Sequence, residues 1–138
     1  MTRQEIIEFV NKNPVFFLAT QDGKQPRVRG MMVCEADENG ILFSTGKPKD
    51  IYKQLSANPL VELCFYNAGE NKQIRISGKV ELADDLEVKH KVLKKFPFLK
   101  PVVEKEGYDV LAPFYLRAGK ALVWTRETNF VPKKYIDF

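Results

Sequence analysis

Five apolar runs separated by short turn signals fill residues 15–82 and leave few folds open. They span 15–20, 27–36, 41–45, 60–67 and 73–82. Gln21-Asp22-Gly23-Lys24 and Asp37-Glu38-Asn39-Gly40 read as hairpin turns, and Ala68-Gly69-Glu70-Asn71 as a third reversal. Ile74, Ile76 and Val80 alternate as a half-buried strand does, whereas 60–67 is apolar nearly throughout, as in a strand covered on both faces. A sixth run covers 112–126, with Gly119 as a candidate bulge. Strands in hairpin order, interrupted by short helical stretches, predict a mainly β (α+β) fold. The expected form is a six-stranded antiparallel barrel with helices packed at its ends, in one domain over residues 1–138.

The helical stretches have their own signals. Thr2 and Glu5 form a capping box ahead of an apolar stripe of Ile6, Ile7, Phe9 and Val10, and Asn13-Pro14 ends that helix. Ile51 and Leu55 share a face of a second helix, which Pro48 opens and Asn58-Pro59 stops. Asp84 or Asp85 caps a third, which runs to Phe96 and stops at Pro97. Residues 98–109 read as a short helix or an ordered loop, and 127–138 has no clear period.

Charge is unusual at the second helix. Lys47 and Lys49 sit at its start and Lys53 one turn on, where the unpaired N–H groups already carry partial positive charge. Like charges at i, i+4 cost a few tenths of a kcal/mol. A phosphate bound there accounts for the crowding; three solvated lysines on a surface helix fit the same pattern. The formal net charge of +4 fits an anionic ligand or nucleic acid and requires neither. No apolar run approaches the roughly 18 residues of a membrane span, and no signal-peptide segment is expected at the start. Cys34 and Cys64 lie apart in strand-like stretches, so two free thiols in a reducing, cytoplasmic compartment are expected. The single His90 provides neither a multi-histidine metal site nor a Ser-His-Asp triad, and its helix-flank position reads as structural or surface.

Four motifs now occur in order: Pro26-Arg27-Val28-Arg29-Gly30-Met31-Met32-Val33, then Phe43-Ser44-Thr45 with Lys49, then Gln54-Leu55 and Asn58-Pro59, then Gln73-Ile74-Arg75-Ile76-Ser77-Gly78. Over about half the chain this order resembles the pyridoxamine 5'-phosphate oxidase-like family of FMN-binding split barrels. The resemblance implies a six-stranded split barrel that forms a homodimer, with two FMN sites at the interface, each lined by both subunits. It implies that Arg29 reaches the FMN phosphate and that the backbone of Gly30, Met31 and Met32 runs along the flavin ring. Ser44 and Thr45 match the strand-end pair that hydrogen-bonds the cofactor. Lys49 matches the loop lysine on the phosphate, but the loop is shorter here, which leaves Lys47 as a rival. Gln73 matches a glutamine that touches the ring from the partner subunit.

The residue chemistry agrees. An arginine fork suits phosphate oxygens, and a strand glycine such as Gly30 marks either close approach of a ligand or a bulge. Arg29 on a solvated strand face, Met31 and Met32 in the core, and Ser44 and Thr45 capping a turn are the plainer readings. Family members that oxidise the B6 vitamer carry an Arg-x-His element near the C-terminus. Residues 123–129 here have no histidine, so the resemblance does not extend to that substrate. Trp124 reads as a core residue or, less directly, as a stack at the flavin edge.

The expected function is therefore an FMN-binding oxidoreductase acting on an unidentified small molecule. Short chains of this kind also resemble nitroimidazole-resistance type reductases, which would suit a nitroaromatic or quinone acceptor, and relatives with this fold bind deazaflavin or haem. Two other classes stay open. One is a flavin-binding protein without turnover. The other is a nucleic-acid-binding small barrel, with Phe43, Phe65, Tyr66 and Tyr115 as stacking platforms. The basic residues concentrate at one helix start rather than along a groove, which argues against the latter.

Overall fold

The computed structural model describes residues 1–138. Helix α1 (Arg3–Lys12) opens with the expected capping box: Thr2 Oγ1 accepts from Glu5 N–H at 3.2 Å, and Glu5 Oε2 accepts from Thr2 N–H at 3.1 Å. Strands β1 (Val15–Asp22) and β2 (Gln25–Met32) form a hairpin about Gly23 and Lys24. Strands β3 (Glu35–Asp37) and β4 (Gly40–Gly46) form the second hairpin and lead into α2 (Asp50–Ala57). Then come β5 (Leu60–Asn67), β6 (Lys72–Lys79), the short β7 (Glu81–Leu82) and α3 (Leu86–Lys95). A 3-10 turn (Pro97–Leu99), α4 (Lys100–Glu106) and a second 3-10 turn (Tyr108–Val110) precede β8 (Leu111–Leu116), β9 (Lys120–Thr125) and β10 (Ile136–Asp137).

The ten strands make two antiparallel sheets, ordered β10-β9-β6-β5-β1-β2 and β3-β4-β8-β7. This corrects the expectation of one six-stranded barrel: the six-stranded sheet does not close on itself. Three runs that read as single strands each turn a corner and divide between sheets. Residues 27–36 break at the buried pair Val33 and Cys34, 73–82 at Val80, and 112–126 at Arg117, Ala118 and Gly119. Gly119 is therefore a corner rather than a bulge. Helix α2 also starts later than expected, with Lys49 as N-cap and Pro48 outside it.

The core fills the space between the sheets. Phe16, Leu18 and Thr20 point inward from β1, while Val15 and Phe17 point outward, as the two-residue strand period requires. Rings of Phe65, Phe16, Phe43 and Phe114 follow one another at 5.1, 5.7 and 6.1 Å across the core. A smaller cluster (Leu42, Val92, Val103, Leu111, Tyr115 and Cys34) lies beneath α3 and α4. The tail without a sequence period ends in order: Gly119 and Phe138 exchange backbone hydrogen bonds of 3.0 and 2.9 Å, and Phe138 is buried under the Arg3 guanidinium.

Candidate functional site

Where β2 ends beside the β4–α2 turn, the chain leaves a cleft of about 520 Å³. Gly30, Met31 and Met32 form one side; Ser44, Thr45 and Lys49 form the floor. Six of the nine residues singled out by sequence thus meet at one place. The turn is fixed by its backbone, since Lys49 N–H donates to Gly46 O at 3.0 Å and Lys47 N–H to Val110 O at 2.9 Å. Gly30 leaves open space, because a Cβ there would meet only the Phe17 ring, at 3.9 Å.

Arg29, next to the cleft, takes the inward face of β2 that it shares with Met31, opposite to Gly30 and Met32. Its guanidinium donates to Thr20 Oγ1 at 2.8 Å, Leu18 O at 3.2 Å and Gln54 Oε1 at 2.6 Å, and Thr20 Oγ1 donates to the same Gln54 oxygen at 2.6 Å. All three acceptors are neutral. Burial lowers the Arg29 pKa from its ordinary value, and neighbouring Arg27 lowers it further. Neither Arg29, Lys49 nor Lys53 forms an ion pair, whereas Arg27 pairs with Asp22.

Lys47 has a different occupation. Its Nζ lies 3.6 Å from Asp84 Oδ2, and buried Lys89 reaches Asp84 Oδ1 at 2.5 Å. The hydrogen bond from Lys89, with both lysine charges, holds the Asp84 carboxyl below the usual carboxylate range. This cluster joins the β4–α2 turn to the start of α3. Lys47 does not line the cleft.

Gln73 is elsewhere too. On the outer face of the six-stranded sheet, Trp124 faces Gln73, Gln73 faces Tyr66, and the next positions in register are Val15 and Met32. Three strand spacings separate Gln73 from Met32, about 14 Å. Gln73 instead borders a small hollow with Arg75, Leu122, Trp124 and Lys133. Trp124 is half-buried on this outer face, its Nε1 donating to Asn129, and is not a core residue. His90 is exposed, with its ring edge-on to Tyr108 at 5.1 Å.

Sequence reasoning assigned no role to Thr20 or Gln54. The available signal was a polar side chain at an inward position: Thr20 continues the Phe16, Leu18 alternation, and Gln54 interrupts the buried face of Ile51 and Leu55. The apolar wall from residues 96–111 left no periodic trace, because two 3-10 turns break its period.

A family model described as pyridoxamine 5'-phosphate oxidase matches residues 2–105. A pyridoxine/pyridoxamine 5'-phosphate oxidase of Anaeromyxobacter dehalogenans is 37% identical over 71 residues, covering 51% of this chain and 36% of that protein. The match thus spans about a third of that relative's length. Among solved structures, a NimC/NimA family protein of Clostridium acetobutylicum superposes with a TM-score of 0.80 at 28% identity, covering 98% of this chain and 92% of the other. An FAD-binding protein of Mesorhizobium loti has a TM-score of 0.60 at 19% identity, with 83% and 87% covered, a likeness of fold. No helix of this chain is long and apolar enough to cross a membrane.

Proposed function

This chain belongs to the pyridoxamine 5'-phosphate oxidase family, and from that premise we propose that it is an FMN-binding flavoprotein, an oxidoreductase acting on a small molecule, built as one split-barrel domain and working as a homodimer. The observation that carries the reading is a half-buried guanidinium without a counter-ion. Arg29 has lost part of its water and has only neutral oxygens around it, a costly state for a cation unless an anion completes it. Lys49 stands unpaired at the start of α2, where backbone dipoles also favour negative charge. A phosphate ester between them satisfies both.

The remaining residues suit the rest of the cofactor. The open backbone beside Gly30, Met31 and Met32 admits a flat ring, and Ser44 and Thr45 supply hydroxyls at its edge. FMN, when bound, supplies the hydride or electron transfer. The chain's own part is to hold the phosphate, orient the ring and exclude water. Lys47, engaged by Asp84, is the weaker of the two loop lysines for the phosphate.

The outer sheet face supports the homodimer. Val15, Phe17, Val28, Met32, Leu60 and Tyr66 are all exposed there, an unusual apolar surface for a lone protomer. A two-fold axis running along the strands near β5 would lay β6 and β9 of each copy over β1 and β2 of the other. That arrangement brings the partner subunit's Gln73 to a cleft that a protomer's own Gln73 is too far to reach. Phe17→Ala is expected to weaken dimerisation by about 1–2 kcal/mol, roughly five- to thirtyfold, as read by sedimentation at several concentrations. An unchanged dimer would move the interface elsewhere. Both cysteines are free, and burial pushes the Cys34 thiol up to about 11, so it stays protonated at neutral pH; this supports a reducing, cytoplasmic setting.

The decisive experiment is a titration of the purified protein with FMN, followed by flavin absorbance and fluorescence. Saturable binding is expected. Protein that stays colourless after incubation with excess FMN overturns the reading.

A further inference from the structure

We infer that the part of the cleft beyond the proposed flavin site receives a flat, uncharged, apolar molecule, and that Phe98 and Val102 set this preference. The inference rests on the flavin reading in one respect: the cofactor's phosphate takes the charge of Lys49.

The wall opposite β2 is built by the segment between α3 and β8. Its side chains in the cleft are Phe96, Phe98, Leu99, Val102, Val110 and Leu111. Every one is apolar. The end of α3 carries Lys94 and Lys95 and the segment itself Lys100 and Lys105, and none of these lines the cleft. Lys49 is the one ionisable residue that a protomer contributes to its own lining. A second ligand bearing a phosphate or carboxylate would bury that charge against hydrocarbon without a partner. A neutral ring would instead exchange water for apolar contact.

The wall is held in shape rather than loose. Phe96 packs on Phe98 with centroids 6.0 Å apart, and Val103 and Leu111 anchor the segment into the smaller core cluster. Backbone bonds from Gly107 N–H to Val103 O and from Lys47 N–H to Val110 O, at 2.7 and 2.9 Å, tie it to α4 and to the β4–α2 turn. Despite this support, Phe98 remains 75% exposed at the rim. A volume of about 520 Å³ lies within the roughly 300–1,000 Å³ typical of small-molecule sites, and the lining is continuous from Gly30 to Phe98. One side of the cleft thus suits the cofactor and the other a second, uncharged ring. This places the chain's substrate apart from the phosphorylated vitamer named in its relatives.

The test is calorimetric binding to the FMN-loaded protein, with no turnover required. The probes are duroquinone, which is neutral and has no free ring position for thiols to attack, and pyridoxamine 5'-phosphate. Saturable binding of duroquinone is expected, with none of pyridoxamine 5'-phosphate over the same concentration range. The double variant Phe98→Ser, Val102→Ser should weaken duroquinone binding by about tenfold or more, and Phe98→Leu should retain it. FMN affinity, titrated separately, should change by less than about twofold. Tighter binding of pyridoxamine 5'-phosphate than of duroquinone, or duroquinone binding indifferent to both serines, overturns the inference. The same measurements on flavin-free protein separate the two readings. Phe98-dependent duroquinone binding by a protein that takes up no FMN would sink the flavin proposal alone, and loss of that dependence in both forms would sink this one.

Discussion

Arg29→Ala is expected to lower FMN affinity by about ten- to a hundredfold and to leave the fold intact. The magnitude follows from one charge-assisted hydrogen-bonded contact, worth about 1.5–3 kcal/mol. The fold should survive because the groups Arg29 contacts are not stranded: Thr20 Oγ1 and Gln54 Oε1 still bond each other at 2.6 Å. Lys49→Ala is expected to act in the same direction, while Lys47→Ala should leave affinity within about twofold, since Lys47 faces Asp84. The effects of Arg29 and Lys49 should fall short of additivity, because both act on one phosphate. Added salt should weaken wild-type binding more than it weakens binding by Arg29→Ala. Measured flavin affinities decide between outcomes. Equal losses at Lys47 and Lys49 would mean that the turn as a whole matters, and an Arg29→Ala protein that unfolds would assign Arg29 to stability.

The second large effect is structural. Gly119→Val should cost at least about 4 kcal/mol, a substantial part of the roughly 5–15 kcal/mol that holds a domain folded. A Cβ at position 119 would lie 2.2 Å from the carbonyl oxygen of Ser77, a backbone atom that cannot rotate away. Across the same corner, a Cβ on Gly78 would lie 2.8 Å from Ala118 O. The clash would push β9 from β6 and disturb the mutual bonds of Gly119 and Phe138, exposing a buried ring at the chain's end. Denaturant unfolding monitors the loss. A Gly119→Val protein as stable as wild type would mean that the β8–β9 corner opens freely.

Much of the layout was legible in local pattern. That Gly30, Met31, Met32, Ser44, Thr45 and Lys49 meet was implied by the family resemblance, whereas the first helix with its capping box and the hairpins β1–β2, β3–β4 and β5–β6 follow from alternation, turn chemistry and chain order. Those signals act over a few residues, so a linear reading captures them. It did not find the corners at Val33 and Cys34, at Val80 and at Gly119. At Val33 and Cys34, for example, two consecutive buried apolar residues carry the chain from one sheet to the other with no turn signal between them.

Pairing choices were likewise out of reach. Lys47 and Lys49 are equivalent on paper, yet Asp84, far along the chain, engages one and leaves the other open. Gln73 and Met32 fall in one row of the sheet only because β5 and β1 lie between them, which sets their separation. Thr20 and Gln54 became partners of Arg29 when α2 packed on β1. By itself the sequence determined most of the helices and strands and their hairpin order, since these depend on neighbours within a turn or two. Only the tertiary structure decided that two sheets form instead of one closed barrel, which cations lack a counter-ion and how apolar the far wall is. Those features depend on which distant residues come within a few ångströms, and packing alone fixes that.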